Sequence, residues 1–246
     1  MGEVVLVTGA ASGIGAAVAR RFAAGGAHVV VADIAEEAGQ AVAAEIGGLF
    51  VRTDVGSEQD NLAAVDAAVT TFGALNIVHL NAGIGGGGDE LDLEWYRRIV
   101  AVNLDGPVLG IRAALPALRA AGGGAIVVTA SLAGVTPFSL DPIYSATKHA
   151  VVALVRSLAP KYRESGVTIN ALCPGVVDTP ILPEEAKEYV RESGLALASP
   201  AYVAAAVERM VREGETGQAW EVQAGKEPSP IEFPRFELTR TKPDED

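Results

Sequence analysis

The chain has 246 residues, 49% hydrophobic and 20% charged, the balance of a globular protein, so disorder, collagen and coiled coil are excluded. Its 19 basic and 31 acidic side chains leave a net charge of −12, which repels phosphate backbones and anionic lipid. A small molecule is the expected partner, with neither nucleic acid nor membrane.

Short runs rich in Val, Ile and Leu predict strands at Val4–Val7, Val29–Ala32, Leu49–Val51, Ile77–Leu80, Ala125–Thr129, Val167–Leu172 and Ala219–Val222, each bounded by turn-forming residues. Helical spacing fills the gaps at Ile14–Ala24, Glu36–Ile46, Asn61–Phe72, Asn103–Ala121, Ile143–Arg163 and Ala201–Arg212. Strand and helix in alternation predict an α/β fold, doubly wound, with seven parallel strands flanked by helices. Residues 1–225 read as one domain, and 226–246, rich in proline, as an extended or partly disordered arm. Phe233 and Phe236 on that arm are expected to dock on the domain or on a neighbouring subunit. No run reaches the roughly 18 apolar residues of a membrane span, and Val4–Val7 is too brief for a signal peptide. The single cysteine, Cys173, can form neither an internal disulfide nor a zinc cluster; a buried thiol in a reducing, cytoplasmic compartment is expected.

The first strand runs into Thr8-Gly9-Ala10-Ala11-Ser12-Gly13-Ile14-Gly15, and a helix follows. Gly9, Gly13 and Gly15 allow a tight turn close to a pyrophosphate, while Ser12 and Ile14 sit where a helix N-terminus offers N–H groups and a positive dipole end. An ordinary strand-to-helix loop is the competing reading. Asp33, 18 residues after Gly15, stands near the ~20 expected of an acid that binds a ribose. A carboxylate there accepts from a free 2′-hydroxyl and repels a 2′-phosphate, and Ser12 and Ile34 add no positive charge, so the expected cofactor is NAD rather than NADP.

Tyr144 and Lys148, four residues apart at the start of a predicted helix, share one face. A phenol ionises near pH 10 and is a poor base at neutrality; a nearby cation favours its anion, so a desolvated Lys148 together with the positive nicotinamide ring is expected to lower the Tyr144 pKa, which one exposed ion pair cannot do. The bland alternative is a surface helix pair. His28, His79 and His149 share no metal-ligand spacing and read as structural, with no metal site expected.

Taken with Asn81-Ala82-Gly83, Ser131 and Pro174-Gly175, these motifs resemble the short-chain dehydrogenase/reductase family, over Glu3 to about Val222. The resemblance implies a Rossmann-type fold and an NAD-dependent alcohol dehydrogenase or reductase acting on CH–OH groups. Tyr144 would be the general acid and base, Lys148 would bind the nicotinamide ribose, and Ser131 would hold the substrate oxygen. Asn103 would hold through its backbone a water linking Lys148 to solvent. Further cofactor contacts would come from Asp54 and Val55, from Asn81, Ala82 and Gly83, and from Pro174, Gly175, Val176 and Thr179. Asn81 has a bland reading as a tie between strands, and Asp54 as a helix cap near Ser57.

The resemblance also implies a homo-oligomer, tetramer or dimer, although Pro160 should kink or end the helix that family members use between subunits. Loops at Gly85–Leu93, Leu132–Pro142 and Ile181–Leu195 would line the substrate pocket. Phe138, Leu140, Val176, Leu182 and Tyr189 in and beside them favour a hydrophobic secondary alcohol or ketone. The run Gly85–Gly88 suggests a mobile entrance. The alternatives are a carbonyl or 3-oxoacyl reductase and a non-catalytic NAD-sensing protein.

Overall fold

Successive side chains on a strand point to opposite faces, so a run such as Val4-Val5-Leu6-Val7, buried at every position, must be covered on both sides. The computed structural model describes residues 2–85, 92–213 and 215–234. Among them, strands β1 (Val4–Thr8), β2 (His28–Asp33), β3 (Leu49–Arg52), β4 (Ile77–Leu80), β5 (Gly124–Thr129), β6 (Val167–Pro174), β7 (Ala219–Val222) and β8 (Ser229–Pro230) form one sheet. Its order is β3-β2-β1-β4-β5-β6-β7-β8. The helices are α1 (Gly13–Ala24), α2 (Glu36–Ile46), α3 (Glu58–Phe72), α4 (Leu93–Val100), α5 (Gly106–Ala120), α6 (Pro142–Tyr162), α7 (Glu184–Glu192) and α8 (Pro200–Glu213).

Strand parity divides the core. Val4, Leu6, Val78 and Ile126 join one cluster with residues of α3, α5 and α6; Val5, Val7, Ile77 and Val127 join the other with residues of α1, α2 and α8. The stretch Leu93–Ala120 is long and apolar enough by composition to cross a membrane, yet half of its most apolar window is buried inside the fold.

The expected seven parallel strands are corrected to eight, with the last pair antiparallel: β7 and β8 match Trp220 to Pro230 and Glu221 to Ser229. β8 lies in the proline-rich stretch that reads as an arm, because proline cannot donate to a ladder. An edge strand needs only one paired side, so Pro228 and Pro230 are tolerated there, and Ile231 N–H donates to the Ala219 carbonyl at 2.7 Å. Phe233 then packs against the α5/α6 cluster, with the Arg156 guanidinium 3.6 Å from its ring centroid; Phe236 lies outside the described residues.

Three further elements depart from the sequence reading. α7 lies in the expected loop Ile181–Leu195 and α4 in a stretch given no element; at nine and eight residues both fall below the roughly 10–12 over which periodicity marks a helix. A π-helical turn, Ala101–Asp105, precedes α5, where an α-helix is expected to start at Asn103. Pro160 falls in the last turn of α6, which ends two residues later at Tyr162.

Candidate active site

β1 and β4 are neighbours in the sheet although β2 and β3 lie between them in sequence, and the chain leaves their carboxyl ends in opposite directions. A crevice opens at such a switch point. Thr8 closes β1 and its Oγ1 accepts from the N–H groups of Asn81 (2.9 Å) and Ala82 (3.2 Å), which holds the Asn81–Gly83 segment against the glycine turn. Gly9 and Gly13 adopt φ +65° and +53°. A Cβ on Gly9 would lie 2.8 Å from the Ala82 Cα, and one on Gly15 would lie 2.1 Å from the Gly9 carbonyl oxygen. Side chains are excluded, so bare backbone forms the cradle. Ser12 stands at the N-cap of α1 but makes no side-chain cap, and Ile14 packs half-buried on the core beneath. The cradle thus meets the positive end of the α1 dipole, a setting that fits a dinucleotide phosphate.

At the end of β2 both carboxylate oxygens of Asp33 are fixed by backbone: Oδ2 accepts from Ala11 N–H at 2.8 Å and Oδ1 from Ala35 N–H at 2.9 Å. Asp54 is exposed and its Oδ1 accepts from Gly56 N–H; the cap of α3 is Ser57, which accepts from Asp60 N–H at 3.2 Å. Val55 packs where a Cβ on Gly106 would meet it at 3.0 Å. Opposite, β6 ends at Pro174, Gly175 N–H donates to the Val222 carbonyl, and the Val176 carbonyl accepts from Ala198 N–H. Thr179 closes on the cradle, its Cγ2 3.1 Å from a Cβ built on Gly13.

Tyr144 sits in the first turn of α6, which Asp141 caps by accepting from Tyr144 N–H at 2.9 Å. One turn on, Lys148 Nζ lies 5.5 Å from the Tyr144 ring centroid and donates to the Thr129 carbonyl at 2.9 Å. Lys148 Nζ and Asn103 Oδ1 lie 3.3 and 3.4 Å from a Cβ built on Gly83, so the two groups flank Gly83. The Asn103 side chain clamps Ile84, accepting from its N–H and donating to its carbonyl, both at 2.9 Å, and reaches Thr147 Oγ1 at 3.3 Å. Ser131 caps a short 3-10 turn through Ala133 N–H and shares a hydrogen bond with the Tyr144 phenol.

Burial pushes the Tyr144 pKa above its ordinary value; the Ser131 hydrogen bond pulls it down, and the Asp141 charge pushes it up again. The cost of burying a phenolate outweighs the hydrogen bond from Ser131. Burial also pulls Lys148 down to about 8, which weakens it as a cation above that pH. Cys173, buried beneath the site, is pushed up to about 12, the character of an inert thiol.

On the outer side, Phe138, Leu140, Ile181, Tyr189 and Leu195 are exposed. A Cβ on Gly85 would touch Tyr144 Cδ2 at 3.3 Å and Ile181 Cδ1 at 4.0 Å, which places Ile181 beside the Tyr144 ring. Past Gly85, the run to Gly88 lies outside the described residues. α7 is pinned to the segment after β6 by Lys187, whose Nζ meets Asp178 Oδ1 at 2.8 Å and Glu184 Oε1 at 2.6 Å. Sequence reasoning missed Asp141, Thr129, His79 and Lys187. Asp141-Pro142 is a helix-start signal, and Thr129 and His79 follow from strand parity with motif residues; nothing local in the sequence marks Lys187.

The model for the short chain dehydrogenase family matches residues 3–190. The chain is 42% identical to a cyclohexanol dehydrogenase of Acinetobacter sp. (strain SE19), over 74% of this chain and 76% of that one. It is 41% identical to a 3-alpha-(or 20-beta)-hydroxysteroid dehydrogenase of Mycobacterium tuberculosis, over 75% and 74%. Among solved structures it resembles a 3-ketoacyl-(acyl-carrier-protein) reductase from Brucella melitensis complexed with NADH. That match has a TM-score of 0.85 and 34% identity over 91% of this chain and 98% of that one.

Proposed function

Because the chain belongs to the short-chain dehydrogenase family, we propose that it transfers a hydride between NAD and a hydrophobic secondary alcohol or ketone. The observation that carries this reading is the meeting of Tyr144, Ser131 and Lys148 beside a backbone cradle, with the apolar Ile181 next to the Tyr144 ring.

The nicotinamide ring, when bound, takes up or supplies the hydride; the protein's part is to position and to move the proton. In oxidation the alcohol proton passes to Tyr144 Oη, and in reduction Tyr144 returns a proton to the carbonyl oxygen. Ser131 donates to that oxygen as charge develops on it. Since burial favours the neutral phenol, Tyr144 starts as an acid, and oxidation speeds up as pH rises toward its pKa. Lys148 favours the phenolate and binds the nicotinamide ribose, and Asn103 serves the proton relay. The cradle of Gly9, Ser12, Gly13, Ile14 and Gly15 takes the pyrophosphate. Asp54 and Val55 flank the adenine, Asn81, Ala82 and Gly83 the ribose, and Pro174, Gly175, Val176 and Thr179 the nicotinamide.

NAD is preferred over NADP because the Asp33 carboxylate, held by two amides, accepts from a 2′-hydroxyl and repels a 2′-phosphate. The same reading takes residues 1–225 as the catalytic domain and 226–246 as an arm, in a cytoplasmic homo-oligomer, dimer or tetramer. A carbonyl or 3-oxoacyl reductase is the second reading, favoured by the solved relative that bears that name.

The test follows nicotinamide absorbance with NAD(H) and NADP(H) against cyclic and steroid secondary alcohols, their ketones and a 3-oxoacyl thioester, for wild type and Tyr144→Phe. NAD-linked oxidation that falls about a thousandfold in the variant supports the proposal. Turnover confined to NADPH and the thioester transfers it to the second reading; undiminished turnover in Tyr144→Phe removes Tyr144 from the chemistry.

A further inference from the structure

Residues two apart on a strand share a face. Val7 pairs with His79 on β4, and His79 with Val127 on β5; two residues on from each of these stand Gly9, Asn81 and Thr129. Parity therefore gathers His79, Thr129 and Asn81 on one face of the sheet, under the glycine turn. The contacts run in series: His79 Nε2 to Thr129 Oγ1 at 2.9 Å, Thr129 Oγ1 to Asn81 Oδ1 at 3.2 Å, and Asn81 Nδ2 to the carbonyls of Thr8 and Gly9 at 3.2 and 3.3 Å. The Thr129 carbonyl holds Lys148 Nζ.

The direction of every proton follows by elimination. Backbone carbonyls only accept, so Asn81 turns its NH2 toward Thr8 and Gly9 and its Oδ1 toward Thr129. An amide oxygen also only accepts, so the single Thr129 proton is donated to it. Thr129 Oγ1 is then an acceptor for His79, whose Nε2 must carry hydrogen. His79 is fully buried, and burial pulls its pKa down to about 3, so the ring is neutral. With the proton on Nε2, Nδ1 is a bare lone pair, and it is an atom with no partner among the described residues.

We propose that His79 and Thr129 are positioning residues that set the cofactor cradle, through Asn81, and the ammonium of Lys148, through the Thr129 backbone. The Asn81 amide is wedged into the turn: a Cβ on Gly9 would lie 3.1 Å from its Nδ2, and one on Gly15 2.8 Å. There is no slack, so an amide that tilts displaces the backbone meant for the pyrophosphate. Removing the Thr129 hydroxyl strands a part-buried acceptor on Asn81, which relaxes by tilting toward other donors. The inference rests on the reading that this turn binds a nicotinamide dinucleotide.

The experiment compares Thr129→Val, Thr129→Ser, His79→Leu and His79→Gln with wild type by NADH fluorescence titration, steady-state kinetics and ring 15N NMR of His79. Thr129→Val should weaken NADH binding about fivefold to tenfold, with a larger change in the cofactor KM than in kcat. Thr129→Ser, which restores the hydroxyl, should bind within about twofold of wild type. His79→Leu should lose less, and His79→Gln, which offers an amide N–H near Nε2, should recover it. The wild-type spectrum should show His79 protonated on Nε2.

Wild-type NADH affinity in Thr129→Val overturns the proposal even if its melting point drops, as does a Thr129→Ser no better than Thr129→Val, or an Nδ1–H tautomer. If Thr129→Val does not fold, the His79 pair and the tautomer decide alone. Wild type that binds neither NADH nor NADPH removes the cofactor reading and this one with it; wild type that binds while Thr129→Val is unaffected removes only the positioning role.

Discussion

At the carboxyl ends of β1 and β4 the backbone of Gly9 lies so close to Ala82 that a Cβ would sit 2.8 Å from its Cα. On the outer surface Leu140 is 74% and Tyr189 67% exposed. One region is made of backbone in tight contact, braced by Thr8 and Asn81 from below; the other is made of apolar side chains facing outward. The first tolerates almost no added atom, as a site for an invariant ligand requires, whereas the second can change shape cheaply and so is free to set specificity.

The contrast can be broken most sharply at Gly15. Gly15→Ala places a methyl 2.1 Å from the Gly9 carbonyl oxygen, and a shift of rigid backbone should weaken NADH binding about a hundredfold, equivalent to ~2.7 kcal/mol. Wild-type affinity in a fluorescence titration of that variant would show that the cradle yields.

Acid tests the same braced region from within. With a folded pKa of about 3 against an ordinary ~6.5, His79 binds fewer protons folded than unfolded between those values. The stability it supports is complete above pH ~6.5 and is lost as pH falls, by up to about 1.4 kcal/mol per pH unit. Chemical denaturation at stepped pH should show that slope in wild type, and His79→Gln should flatten it; parallel curves would contradict a buried neutral imidazole.

Asp33 marks the edge of the tight region. Asp33→Ala removes the carboxylate anchored by Ala11 and Ala35 and should reduce the preference for NAD over NADP about tenfold, ~1.4 kcal/mol. An unaltered ratio of kcat/KM values would move cofactor choice elsewhere. The smallest effect belongs to the rim: Leu140→Ser should raise KM for an apolar alcohol about twofold to threefold, with little change in melting temperature. A large loss of stability there would mean that the rim is core after all.

Much of this architecture is legible in the residues. Val-rich runs bounded by turn formers mark all seven parallel strands, and the glycine turn, Asp33, Tyr144 and Lys148 stand at the ends of elements that the apolar period reveals. β8 is not legible, because a proline-rich segment becomes a strand only where an edge such as β7 is waiting for it. α4 and α7 are hidden by their length, since eight and nine residues are too few for the apolar period to mark a helix. The burial of Tyr144 is hidden for a related reason: the spacing to Lys148 is a local fact, but burial depends on everything packed around the phenol.

The sequence by itself determined the order of strands and helices, the glycine turn and the four-residue spacing of phenol and ammonium, because each follows from local steric and periodic rules. Only the tertiary structure decided how His79, Thr129 and Asn81 meet beneath that turn, and how Lys187 pins α7 to Asp178. Those contacts join strands and loops across the sheet, and their distances and burial exist only once the chain has packed.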